Sequence, residues 1–274
     1  MSKEASFSGK KWVFIGFGSI TKATIGLLVR AHTFDLSSVV VIAPQIEQHQ
    51  PFVELGVSFI DVALTPENLG HVLRDVVQRG DFIVNLSVNV SSADLIRFAH
   101  AQGALYLDTC IEPWEGMYNE PTLTTSQRSN YALRDQLLAL GDELGPGPTA
   151  VVTHGANPGL VSHFVKAALL QLAAKLGVAV PEAEGRLAWG ELAMALNVKV
   201  IHIAERDTQR SSRIKSDDEF VNTWSVDGFV SEAGQPAELG WGSHEKTWPP
   251  FARHHPFGSN NAIYLERPGA SVPV

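Results

Sequence analysis

The first place along the chain where residue types and spacing could do chemistry is Gly16-Phe17-Gly18-Ser19-Ile20-Thr21. An apolar run, Trp12 to Ile15, hands over there to a glycine-paired turn and then to a helix-compatible segment. Such a turn cradles a pyrophosphate. Gly16 permits the tight bend and Gly18 lets the backbone approach the phosphates, while free N–H groups and the positive end of the following helix attract the negative charge. Thr21 stands where the third glycine of the G-x-G-x-x-G pattern belongs, and in a chain with 23 glycines the competing explanation is an ordinary strand-to-helix turn. The strand before and the helix after favour a dinucleotide site. An acid for the adenosine ribose is expected about 20 residues further on, past the next strand. The residues after Val39–Ile42 are instead Ala43, Pro44 and Gln45, with Glu47 the nearest acid. No Arg or Lys occupies 43–50 to meet a 2′-phosphate, so NAD is preferred, with Gln45 or Glu47 as substitutes at the ribose.

Three later segments are polar in a way that connecting loops seldom are. They are Asn85-Leu86-Ser87, Asp108-Thr109-Cys110-Ile111-Glu112-Pro113-Trp114 and His154-Gly155-Ala156-Asn157-Pro158-Gly159. Each follows a β-branched or apolar run, and in an open parallel sheet ligands sit at the carboxyl ends of the strands. Loop polarity with turn-forming Asn, Pro and Gly is the alternative. The elements that would position these residues alternate along the chain. Strands are expected at 12–15, 39–42, 57–60, 82–86, 105–107 and 150–153, and helices at 20–31, 66–79, 91–101, 126–144 and 158–175. This order predicts an α/β fold with a Rossmann-type, doubly wound parallel sheet. Ser91 reads as an N-cap and Pro158 as a first-turn proline. Gly145-Pro146-Gly147-Pro148 punctuates the chain, placing a nucleotide-binding domain at 1–153 and a second, α+β domain at 154–274.

In that second part Val198–Glu205 alternates with period two, as a half-buried antiparallel strand does. Phe220–Ser225 follows in this β-rich part, and then a short segment to Glu232. Composition narrows the class. With 274 residues, 45% hydrophobic, two core-bearing domains are affordable, and a net charge of −8 argues against a nucleic-acid partner and for cationic ligands. No apolar run reaches membrane-spanning length, the polar start Met1–Lys11 is unlike a leader, and the single Cys110 excludes a disulfide framework, so a cytoplasmic protein is expected. Cys110 reads as an inert structural thiol. The ten histidines include His254-His255, but no spacing resembles a zinc site, and no metal is expected.

Leu107–Trp114, His154–Gly159, Ala204-Glu205-Arg206-Asp207-Thr208-Gln209 and Asn222–Phe229 together resemble bacterial homospermidine synthases, within the saccharopine dehydrogenase-like group. The resemblance covers nearly all of residues 11–266. It implies the joining of two putrescines into homospermidine with loss of ammonia and with NAD as resident cofactor. Hydride leaves one putrescine, a second amine attacks the imine, ammonia departs and hydride returns. It also implies a homodimer built through the second domain. Members of that family continue past the position where this chain stops, which implies a second domain that is incomplete here.

The resemblance places ammonium-holding carboxylates at Glu112, Glu205 and Glu232, a stacking tryptophan at Trp224 and an amine- or carboxamide-orienting amide at Asn157. The cofactor side is expected to comprise Gly16, Gly18, Ser19, Ile20, Thr21, Asn85, Ser87, Asp108, Thr109 and Asn157. Each has a plainer reading: Trp224 as core, Glu112 as a helix N-terminal acid, Glu205-Arg206 as a surface pair, Asn157 as a helix cap. An amino-acid substrate, the other activity expected of this group, calls for an Arg or Lys pair, and Arg206 is the sole such residue in these motifs. A non-catalytic NAD-binding protein is the third reading.

Overall fold

Runs such as Trp12-Val13-Phe14-Ile15 and Val39-Val40-Val41-Ile42-Ala43 are apolar at every position, so they are stable only where both faces are covered. The computed structural model describes residues 9–30, 35–44, 49–181, 185–206 and 208–271. In it these runs become strands of a six-stranded parallel sheet. The first half contains β1 (Trp12–Ile15), α1 (Ser19–Arg30), β2 (Val39–Ala43), α2 (Gln50–Glu54), β3 (Ser58–Asp61) and α3 (Leu69–Arg74). It continues with β4 (Phe82–Asn85), α4 (Ser92–Gln102), β5 (Leu105–Asp108), α5 (Asn130–Leu144) and β6 (Ala150–Val151). The strand order is β3-β2-β1-β4-β5-β6, all parallel, as the doubly wound reading requires.

Alternate side chains of one strand feed two cores. Val13 and Ile15 join Leu73 of α3 and Leu95 and Ala99 of α4 on one face, while Phe14 meets Ile25 of α1 on the other. Each fully buried side chain of this size contributes about 1.5–3 kcal/mol. Register aligns the strand ends: Ile15 pairs with Asn85, and Asn85 with Asp108. Three polar loops therefore leave the sheet at one level, across the switch point between β1 and β4.

Caps explain most element boundaries. The Ser91 side chain accepts from the Asp94 N–H at the start of α4, as expected of it. The helix expected at 126–144 is interrupted, because Ser129 is extended (φ −96°, ψ 158°) and its hydroxyl caps α5 by accepting from the Ala132 N–H. The helix expected at 66–79 shrinks to α3. Thr65 and Asn68 bond each other's N–H groups before it, and the Asp81 carboxylate takes the Gln78 N–H after it.

Beyond β6 come α6 (Leu160–Leu176), α7 (Arg186–Ala195), α8 (Val226–Gly234), β7 (Pro236–Gly240), β8 (Ala252–His254) and β9 (Ala262–Pro268). Helices α6 and α7 meet through Leu169, Ala173, Leu192 and Leu196. The three strands form an antiparallel sheet in the order β7-β9-β8. Here the sequence reading needs correction. Residues 198–205 form no strand, and Val200 and Ile201 are 79% and 56% exposed. Alternation says which side chains would share a face, but a strand also needs a neighbour's N–H and C=O groups, and among the described residues none pairs with this segment. Residues 220–225 are also irregular; Ser225 caps α8 instead, accepting from the Gly228 N–H. Pro158 precedes α6 rather than entering its first turn, and the cap is Gly159, without a side-chain bond, so Asn157 is not the cap.

The antiparallel sheet docks on the start of α5. The Glu238 carboxylate accepts from the Asn130 and Tyr131 N–H groups at 2.9 and 3.1 Å, where a helix has N–H groups to spare and favours an anion. The Tyr131 ring stacks on His255 at 4.1 Å, and the Ser126 hydroxyl lies 2.8 Å from His255 Nδ1.

The turn after β1 gives a sharp expectation. Gly16 has φ +94°, and a Cβ there would stand 3.0 Å from the Leu86 carbonyl and the Ser87 backbone, whereas a Cβ on Gly18 would meet nothing within 4 Å. Gly16→Ala should cost about 1–3 kcal/mol, read as a lower melting temperature. Gly18→Val should melt close to the parent; equal losses in both would contradict this reading of the turn.

Candidate functional site

The glycine turn and the β4 loop touch at the switch point. Gly16 donates its N–H to the Ile42 carbonyl at 2.8 Å, and its open face lies against Ser87. Thr21, in place of a third glycine, is fully buried and donates its hydroxyl to the Gly16 carbonyl at 2.8 Å, so it braces the turn. Ser19 and Ile20 are exposed in the first turn of α1, where N–H groups lack intrahelical partners. Gly18 borders open space. These features fit a pyrophosphate on the helix terminus. Gln45 and Glu47, expected at the ribose, lie outside the described residues.

Asn85 and Asp108 form the floor. Buried Asn85 is engaged on both ends of its amide, accepting from the Ser87 hydroxyl at 2.6 Å and donating to the Val90 carbonyl at 3.3 Å. Asp108 is fully buried. Its carboxylate accepts from the Thr153 N–H at 2.6 Å and the Tyr106 hydroxyl at 2.9 Å, and its carbonyl from the His154 N–H at 3.0 Å. Burial still holds the Asp108 carboxyl above its ordinary range despite those donors. Thr109 abuts Gly155, where an added Cβ would stand 3.0 Å from the Thr109 carbonyl oxygen. The β5 loop and the 154–159 loop are thus closely joined.

Glu112 is fixed by the start of α4. Ser92 donates its N–H to the Glu112 carbonyl at 2.8 Å and accepts the Glu112 N–H on its hydroxyl at 3.0 Å. Asn89, in the left-handed region at φ 63°, turns its N–H toward Glu112 Oε2 at 3.4 Å. Burial, then the charges of Asp108 and Glu232, push the Glu112 carboxyl up to about 7. Glu232 lies on α8, exposed, and is within electrostatic reach of Glu112, so carboxylates from both parts of the chain act on this site. Cys110 lies among them. Part of its surface meets solvent, yet desolvation of the thiol, reinforced by Glu112, Asp108 and Glu232, drives it to about 12. It is a thiol, not a thiolate, at neutral pH. A cavity of about 540 Å³ between α4, the 111–120 loop and α5 also borders Glu112, and its wall includes Asp94, Glu115 and Glu120.

Other expected site residues are exposed. Trp224 is 39% exposed, one residue before the α8 cap, with Phe229 edge-on at 6.1 Å; it is not a core tryptophan. Glu205 is exposed in the irregular segment and is not among the groups that act on Glu112. Asn157 is exposed at the rim of its loop. Conversely, Gln235 and Glu238 join the two parts of the chain at Asn130 and Tyr131, and no motif marks them. Among the described residues no group of three or more His, Cys, Asp or Glu side chains is placed to hold a metal, and no helix is long and apolar enough to cross a membrane.

Comparison with known proteins follows the same two-part division. Residues 12–151 match the saccharopine dehydrogenase NADP binding domain, and residues 155–274 the saccharopine dehydrogenase C-terminal domain. The chain belongs to the saccharopine dehydrogenase family. Within it, the chain is 51% identical over 265 residues to a homospermidine synthase of Blastochloris viridis and 46% identical over 267 residues to one of Mesorhizobium japonicum. These alignments take in 96% of this chain but 56% and 55% of the relatives, so it spans little over half their length. A solved homospermidine synthase of Legionella pneumophila, in complex with NAD, superposes with a TM-score of 0.81 at 39% identity, over 95% of this chain and 54% of that one.

For this member of the saccharopine dehydrogenase family, Glu112 sets a measurable pH dependence. Its folded value of about 7 lies above the ordinary 4.5, so its contribution to stability is full below about 4.5 and is lost as pH rises through 7. Glu112→Gln, which cannot ionise, should therefore gain melting temperature over the parent at pH 8 but little at pH 5. A gain that is the same at both pH values would contradict a desolvated Glu112.

Proposed function

We propose that the chain carries the NAD-binding and diamine-binding parts of a homospermidine synthase, which condenses two putrescines with release of ammonia. The observation that carries this reading is the desolvated Glu112 carboxyl at the strand ends, within electrostatic reach of Asp108 and of Glu232 on α8. A desolvated carboxylate with like charges around it calls for a cation, and a diamine dication brings two. On the wall beside Glu112, Asp94, Glu115 and Glu120 outnumber Arg97, which is itself paired with Glu143, so the wall favours the same charge. Arg206, which an amino-acid substrate would need, is exposed in the irregular segment. Half-length coverage of the relatives makes activity of these 274 residues part of the proposal.

Residues 1–153 would hold NAD, with the pyrophosphate over Gly16, Gly18, Ser19, Ile20 and Thr21, and with Ser87 and Thr109 lining the nicotinamide end. Asn85 and Asp108 would shape those loops from beneath. NAD is the choice over NADP because Ala43 and Pro44 offer no cation to a 2′-phosphate and the solved relative is a complex with NAD. When bound, NAD supplies the hydride acceptor and returns the hydride to the new imine. Residues 154–274 would supply the rest of the substrate site. Glu112 and Glu232 hold ammonium groups, Glu205 a further amine of the product, and Asn157 orients an amine or the carboxamide. Amine oxidation needs a free lone pair, and a carboxyl poised near 7 is suited to take and return that proton.

Trp224 would place its indole face over the cationic intermediates. Such a contact is worth about 2 kcal/mol when desolvated, about thirtyfold in rate if it is realised only at those intermediates. We also propose a cytoplasmic homodimer. The single unpaired cysteine suits a reducing compartment, and the exposed Leu160, Phe164, Leu187 and Met194 suit burial against a second subunit.

The decisive assay supplies putrescine with NAD far below stoichiometry. Ammonia and homospermidine should accumulate over many turnovers without net NADH, and Gly18→Val should abolish this by closing the space over the turn. Accumulation of NADH, or turnover of an amino acid instead, would replace this reading with an ordinary dehydrogenase. In the same assay turnover should fall in the order Trp224, Trp224→Phe, Trp224→Leu, with little change in putrescine affinity. Equal rates for the Phe and Leu variants would remove the cation-stabilising role.

A further inference from the structure

The stretch Gly18-Ser19-Ile20 has to offer its N–H groups to a pyrophosphate, yet all three residues are exposed and give it no buried anchor. It is tied down on either side. Gly16 donates its N–H to the Ile42 carbonyl, and Lys22 donates its N–H to the Gly18 carbonyl at 3.1 Å, the first helical bond of α1. Between the two glycines, Phe17 is half-buried and packs on the core that holds Phe14, Ile25 and Val41. Its ring meets Phe52 of α2 edge-on at 5.4 Å and Phe59 of β3 edge-on at 5.0 Å. The Lys22 ammonium lies over this same ring, 4.9 Å from its centroid. The first turn of α1 holds no acid to neutralise it.

We propose that Lys22 is a further cofactor-binding residue, whose ammonium is aimed by the ring of Phe17 and neutralises the pyrophosphate of NAD at the glycine turn. The proposal deepens the placement of NAD given above and rests on it. A chain of net charge −8 repels an anionic cofactor at long range, so a cation held beside the phosphate loop offsets that field where it matters. The ring suits the aiming role because Phe52 and Phe59 fix it from the β2 side of the crevice. At a partly exposed site the pull of a ring on an ammonium is worth only about two- to fivefold in an equilibrium constant. A phosphate oxygen can therefore take the ammonium over, while in the free protein the ring keeps the flexible four-carbon stem from roaming.

The test is calorimetric titration of NAD into the full chain at low and at high salt, with a melting curve for each variant. Lys22→Met keeps the apolar stem and deletes the charge. At low salt it should weaken NAD by about threefold or more, and it should also blunt the weakening that salt causes in the parent. Phe17→Leu keeps apolar bulk on the core but removes the ring, and it should weaken NAD as well. Adding Lys22→Met to Phe17→Leu should then cost less than Lys22→Met costs in the parent, since the charge is no longer aimed. A residue that merely packs would lower the melting temperature and leave the affinity and its salt dependence alone. Lys22→Met binding NAD like the parent at both salt levels would overturn the proposal, even where Phe17→Leu fails to fold, and so would losses that simply multiply in the double variant. A parent that binds no NAD would overturn the cofactor reading itself, and this proposal with it.

Discussion

Negative charge buried at the strand ends is the constraint around which the molecule is arranged. Burial makes ionisation of Asp108 and Glu112 harder, and at Glu112 the charges of Asp108 and of exposed Glu232 on α8 add to it. A protein relieves such crowding with donors, with protons or with a bound cation. Asp108 receives donors from Tyr106 and Thr153 and becomes part of the scaffold. Among the described residues the Glu112 carboxylate has only the long contact from the Asn89 N–H, and burial holds it near 7. Under the proposed function, a diamine's ammonium group would relieve the electrostatic cost that Glu112 bears.

The scaffold makes this crowding hold. Parallel register sets Ile15, Asn85 and Asp108 at one level, so the loops that follow open on a common crevice. Reciprocal bonds between Ser92 and Glu112 then pin the carboxylate's backbone to the first turn of α4. From the other side, α8 is delivered by a small antiparallel sheet whose own core is Ala252, Ile263 and Leu265. Its attachment to α5 is polar, through Glu238 and Gln235, and therefore directional in a way that an apolar contact would not be.

The parallel half was legible because its signals are local. A strand covered on both faces must be apolar throughout, and the runs at 12–15, 39–42 and 82–86 come within a residue of the strands formed. Ser129 was missed as a break because an extended serine inside a helical pattern looks like any polar surface position. The second half was harder. Pro236–Gly240 carries a proline and a glutamate, and Ala252–His254 is too short to show a period, yet both pair with β9. Val198–Glu205 showed the period and lacked the partner. Glu112 and Glu232 could be named from motifs, whereas Gln235 and Glu238 could not, since their role arises only when they are brought to Asn130 and Tyr131 at the start of α5.

The central claim is that an ionised Glu112 holds an ammonium group. Calorimetric titration of putrescine into the NAD-loaded chain between pH 5.5 and 8.5 tests it most directly, because putrescine stays doubly charged over this range while Glu112 passes through about 7. Affinity should climb through that region in the parent, as the carboxylate becomes free to bind the cation, and the climb should vanish in Glu112→Gln. An affinity in the parent that is flat with pH, or a climb that survives the substitution, would contradict the account.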